Sequence, residues 1–165
     1  MNDPMTGAPA RPTLLTVICI LSFIAGAFGL WGGIRDAFTD APQKAVEEAR
    51  TKMDEAMAQM GDEGNEMVSK MMESAISMAE KSAENAKPLG ISGIVLAVLS
   101  LLGVWQMWNL KKSGFWLYLV ASVAGLIVPM VFLGGGLMTL IGVGFMGFIT
   151  IVFVILYAVN LKHMH

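Results

Sequence analysis

Polar and hydrophobic positions separate into long blocks along this chain. No charged residue occurs from Pro12 to Ile34, and none from Pro88 to Leu110. Each block suffices for one helix across bilayer hydrocarbon, which takes about 20 residues to cover roughly 30 Å. After Lys112 no charge appears until Lys162, an interval roughly twice what one crossing requires. That stretch must reverse once. Leu133-Gly134-Gly135-Gly136 is the predicted place, because glycine tolerates the dihedrals of a tight turn. The pattern predicts transmembrane helices over 12–34, 88–110, 114–133 and 137–161, joined by turns at 111–113 and 134–136, with tails at 1–11 and 162–165.

The segment 35–87 has a different character. It holds 12 of the 13 acidic and 7 of the 11 basic residues, a local net charge of −5. Its apolar residues recur as Ala45, Val46, Ala49, Met53, Ala56, Met57 and Met60, the 3-4 spacing of one helical face. Gly61-Asp62-Glu63-Gly64-Asn65 interrupts the pattern, which resumes at Val68, Met71, Met72, Ala75, Ile76 and Ala79. Asp40, with Pro42 in the first turn and Gln43 three residues on, predicts the first helix start. Glu48 with Lys52, and Glu66 with Lys70, add i,i+4 pairs worth about 0.2–0.5 kcal/mol each. An antiparallel hairpin over 42–85 is expected. The fold class is therefore all-α integral membrane: four transmembrane helices with an extracytoplasmic helical hairpin between the first and second.

Composition agrees with that class. Hydrophobic residues make up 55% and charged residues 15%, against about 25% charged in soluble domains. The net charge of −2 supplies no basic patch for nucleic acid, and Cys19 is the single cysteine, so no disulfide forms within the chain. Lys111 and Lys112 sit between Trp105, Trp108, Trp116 and Tyr118, rings that favour the membrane–water boundary. Counting lysine and arginine near span ends puts Arg11, this turn and Lys162 on the cytoplasmic side, with Arg35 and Lys87 opposite. Both termini are then cytoplasmic, in a bacterial cytoplasmic membrane. Ala25-Gly26-Ala27 has the small residues of a signal-peptide cleavage site. Hydrophobicity continues past it through Phe28, Leu30 and Trp31, so an uncleaved anchor is expected.

Candidate chemistry is sparse. All four predicted spans lack Asp, Glu, Lys, Arg and His, the groups on which proton relays and ion-coupled transport depend. Neither a catalytic triad, a nucleotide loop nor zinc spacing is present. No catalytic residue, cofactor or metal ligand is assigned, and enzymatic activity is not expected. Seven of the 14 methionines fall in 35–87, and thioethers select Cu(I). Met53, Met57 and Met60 would align three sulfurs, but a hydrophobic seam produces the same spacing, and no histidine or cysteine accompanies them. His163 and His165 belong to the opposite tail. The candidate partner-binding surface is Met53, Met57, Met60, Met67 and Met71. Small residues at four-residue spacing (Ser22, Gly26; Gly29, Gly33; Gly93, Ala97; Ala121, Gly125) mark faces where helices approach closely, within one bundle or between copies. Pro129 predicts a kink in the third span.

The layout, with RPTLLTVICILSFIAGAFGL opening the first span and WNLKKSGFWLYLVAS at the second turn, resembles small four-span bacterial membrane proteins of unknown function. That resemblance implies four spans and carries no activity, ligand or catalytic residue. Two functions follow as expectations. The first is a membrane-anchored interaction or scaffold protein, embedded in the lipid bilayer, whose hairpin meets a protein partner or a second copy. The alternative is a small channel or copper-handling accessory.

Overall fold

The computed structural model describes residues 12–60 and 66–164, including the backbone but not the side chain of Met60. Within these residues the chain is helical: α1 (Thr13–Phe38), α2 (Ala41–Met60), α3 (Glu66–Glu84), α4 (Ala86–Trp108), α5 (Ser113–Leu133) and α6 (Leu137–Asn160), followed by a 3-10 turn, Leu161–His163. Four of these, α1, α4, α5 and α6, are long and apolar enough to cross a membrane. The predicted 1–11 tail, the Gly61 to Asn65 break and His165 lie outside the described residues.

Glycine sets how closely the spans approach. A Cβ placed on Gly90 of α4 would lie 2.6 Å from Ala37 N and 2.7 Å from Gly33 O of α1. On Gly103 it would lie 2.8 Å from Tyr118 N and 2.9 Å from Gly114 O of α5. These are backbone-to-backbone contacts that no side chain can enter, and they make α1–α4 and α4–α5 the two most extensive helix pairs. Gly26 packs on Leu101, and Gly29 faces Ala97, as the small-residue pattern suggests. Gly125, Gly142 and Gly144 instead face open space, with no atom within 4 Å of a built Cβ. The spacing of Ala121 and Gly125 thus marks no close helix approach at Gly125 among the described residues.

The core gathers at the end that carries Lys111 and Lys112. Leu15, Ile18 and Cys19 from the start of α1 meet Val104, Met107 and Leu110, Phe115, Tyr157 and Met164 there. Tyr118 and Tyr157 stack edge to face at 5.0 Å, and Phe23 meets Trp108 likewise at 6.1 Å. At the opposite end, where α2 and α3 emerge, α6 buries Thr139; its described buried residues are Thr139, Tyr157 and Asn160, at its two ends only.

Two turns hold the hairpin of spans in register. Gly134 has φ +77°, a value glycine adopts without penalty, so α5 can reverse into α6. The α4–α5 turn begins two residues earlier than the sequence suggests, at Asn109 instead of Lys111. Lys111 N donates to Gln106 O at 2.9 Å and Leu110 N to Met107 O at 2.9 Å, the paired bonds of a Schellman ending. The left-handed position, normally glycine, is Leu110 with φ +60°. Its side chain, 5% exposed, is part of the core. Ser113 Oγ donates to Gln106 Oε1 at 2.6 Å and fastens the turn. That bond gives Gln106 a structural role. Helix α5 continues through Pro129 to Leu133.

Candidate interaction surface

The hairpin is built from α2 and α3, and each joins its span through an irregular step. Thr39 leaves the helix with φ −128° and ψ 165°. Its hydroxyl donates to Arg35 O at 2.6 Å and accepts from Ala41 N at 3.2 Å, so one side chain closes α1 and starts α2. At the other junction Asn85 departs from helical geometry with φ −101° and ψ 18°. Pro88 has no N–H, so Glu84 O loses its i+4 donor there, which breaks α3 from α4. Asn85 donates to Lys81 O twice, from N at 3.1 Å and from Nδ2 at 2.9 Å, which closes the last turn of α3.

Two polar links pair α2 with α3. Gln43 donates from Nε2 to Ala83 O at 3.2 Å, across the hairpin instead of back to its own helix start. Arg50 pairs with Glu80. Along and beyond these links run the half-buried stripes Val46, Ala49, Met53 and Ala56 of α2 and Met72, Ile76, Ala79 and Ala83 of α3. Among the described residues no side chain of α2 or α3 is buried. Small alanines and half-covered methionines cannot exclude water between two charged helices. The predicted seam was too wide: Val68, Met71 and Ala75 are exposed, because α2 covers only one narrow face of α3. The Glu66–Lys70 pair forms at 2.7 Å.

The five candidate methionines do not share one face. Met53 sits in the α2 stripe turned towards α3, and Met57 beside it is 43% exposed. Nothing is described of the Met60 side chain. Met67, Met71, Ser74, Met78 and Lys81 recur at alternating four- and three-residue steps, so they share one face of α3. By the same 3.6-residue period, that face is opposite Met72, Ile76, Ala79 and Ala83. Met78 and Lys81 form a cleft with Leu133, Leu137, Met138 and Thr139 at the α5–α6 turn, while Met67, Met71 and Ser74 form a second groove with Leu137. Helix α3 is thus layered between α2 and the end of α5–α6. The seating of α3 on Leu137 was missed from sequence, where Lys81 is one of seven loop cations and nothing distinguishes it.

Electrostatics adds little chemistry. The three ion pairs among the described residues, Arg35–Asp36, Arg50–Glu80 and Glu66–Lys70, are exposed, and such pairs contribute at most about 1 kcal/mol each. Among the described residues no group of three or more His, Cys, Asp or Glu could hold a metal ion. The chain matches no protein-family model, no curated protein and no solved structure.

Proposed function

We propose that this chain is a membrane-anchored interaction protein in which α1, α4, α5 and α6 cross the bilayer and the α2–α3 hairpin is presented outside the cytoplasm to a protein partner. One observation carries the reading. The hairpin has no buried side chain among its described residues, yet it keeps large apolar groups exposed on a segment of net charge −5. Exposed apolar side chains on spans meet lipid. On a charged segment they require another explanation, and a binding surface is the usual one. Methionine suits that task because its unbranched thioether chain adapts to irregular partners. The acidic charge favours protein over anionic lipid. A copper role has no observation in its favour: Met67 and Met71 lie on the α3 face turned away from α2, which carries Met53 and Met57.

Two measurements in intact cells test this reading. After Cys19→Ala, a membrane-impermeant thiol reagent should label Ala58→Cys and spare Ser113→Cys; equal labelling contradicts the orientation. A photo-crosslinking residue at Met57 should give a discrete protein adduct, whereas one at Lys44 on the polar side of α2 should give none. Absence of any Met57 adduct, with the protein correctly inserted, removes the partner reading.

A further inference from the structure

We infer that α3 is an interfacial helix whose Met67–Met71 face rests on zwitterionic phospholipid, leaving the Met57 side of α2 as the surface open to a protein. This refines the proposed function by dividing the exposed methionines between two occupants, and it rests on that reading for the crossing of the bilayer by α6 and for what meets α2.

The geometry begins at Leu137, the first residue of α6, which is 56% exposed. It lines the cleft that holds Met78 and Lys81, and also the groove that holds Met67, Met71 and Ser74. Helix α3 therefore crosses the α5–α6 end near Ser74. Its C-terminal half is seated on Leu133 and Thr139, both buried, and its N-terminal half extends beyond α6. Leu137 opens a span, so α3 lies at the depth where hydrocarbon gives way to headgroups.

Beyond that crossing the face presents two uncovered methionines, Met67 68% exposed and Met71 42%, flanked in the groove by Glu66, Lys70 and Glu73. It runs on into Leu137, Leu140 and Ile141, exposed apolar residues of α6, which lipid covers if α6 is a span. This continuity identifies the occupant. A surface shared with a transmembrane helix is covered by what covers that helix, and an amphipathic helix at this depth buries its apolar face at the headgroup boundary. Helix α2 cannot supply the cover, because it occupies the opposite face of α3. Charge selects the lipid. Glu66, Glu73, Glu80 and Glu84 outnumber Lys70 and Lys81, so an anionic surface repels α3 and a zwitterionic one does not.

The test uses the full chain, with Cys19→Ala, alone in nanodiscs of phosphatidylcholine. Single cysteines at Met67, Met71, Lys44 and Leu140 carry a fluorophore, and part of the lipid is brominated near the headgroup. Labels at Met67 and Met71 should lose roughly half their fluorescence, approaching Leu140, while Lys44 stays bright. Replacing much of the lipid with phosphatidylglycerol should reduce the loss at Met67 and Met71 and leave Leu140 unchanged. Quenching at Met67 and Met71 no greater than at Lys44 overturns the inference, as does a protein adduct from a photo-crosslinker at Met71 in cells. The Leu140 label reports insertion of every variant, so misfolding is recognised. No other protein is present in the nanodisc, so failure here leaves the Met57 partner reading intact, and failure at Met57 leaves the lipid seat intact.

Discussion

The hydroxyl of Tyr157 donates to Ser22 Oγ at 2.8 Å, a buried bond between the last span and the first. It is the polar tie at the end of α6 where the core gathers, and Cys19 lies beside the same hydroxyl. Removing one partner leaves a buried oxygen unsatisfied, which costs about 1–3 kcal/mol in proteins generally, and interhelical bonds in membranes average nearer 0.6 kcal/mol. Tyr157→Phe should therefore destabilise the bundle by about 1 kcal/mol. Ser22→Ala should do the same, and the double variant should cost less than the sum. Thermal unfolding in one detergent, run as a double-mutant cycle, checks this; strict additivity means the bond contributes nothing.

Glycines that look alike in sequence should respond oppositely. Gly103→Ala drives a methyl into the backbone of Tyr118 and Gly114, and overpacking of this kind costs about 1–3 kcal/mol. Gly125→Ala enters open space and should be neutral, or stabilising by up to about 1 kcal/mol through helix propensity. Comparison of the two unfolding temperatures decides the matter. Equal destabilisation would show that Gly125 meets a second copy.

That contrast shows where sequence was informative. The spans could be read because charge is absent from them, and the Gly134 turn because few residues other than glycine take its dihedrals. Close approach was harder. Gly103 and Gly114 make their contact across two helices, whereas small-residue spacing within one helix points to Gly125, where a built Cβ meets no atom of the described residues within 4 Å. The candidate methionines were grouped by proximity in sequence, and the α2–α3 pairing placed them on opposite faces. Nothing in the residues around Lys81 or Leu137 signalled that α3 would sit on the α5–α6 end, since that depends on the Asn85–Pro88 break.

Leu110 combines strain with burial. Its left-handed backbone costs about 1–2 kcal/mol for an L-residue, and its buried side chain offsets this through packing with Met107 and Phe115 in the core. Leu110→Ala keeps the strain and loses the packing; Leu110→Gly loses the packing and relieves the strain. Both should destabilise, with the alanine variant lower by about 1 kcal/mol. Guanidinium or thermal unfolding of the pair reads the order directly, and alanine equal to or above glycine would refute it.

The central claim is that the α2–α3 hairpin is too thinly packed to be stable on its own and is completed by contact with something else. Hydrogen exchange on the full chain in phosphatidylcholine nanodiscs, with no other protein present, tests it most directly. Amides of α2 should exchange much faster than those of α1 and α4, with α3 intermediate because one face is seated on Leu137. Protection of α2 equal to that of α1 and α4 would show a self-sufficient hairpin, and the physical reason for a partner would be gone.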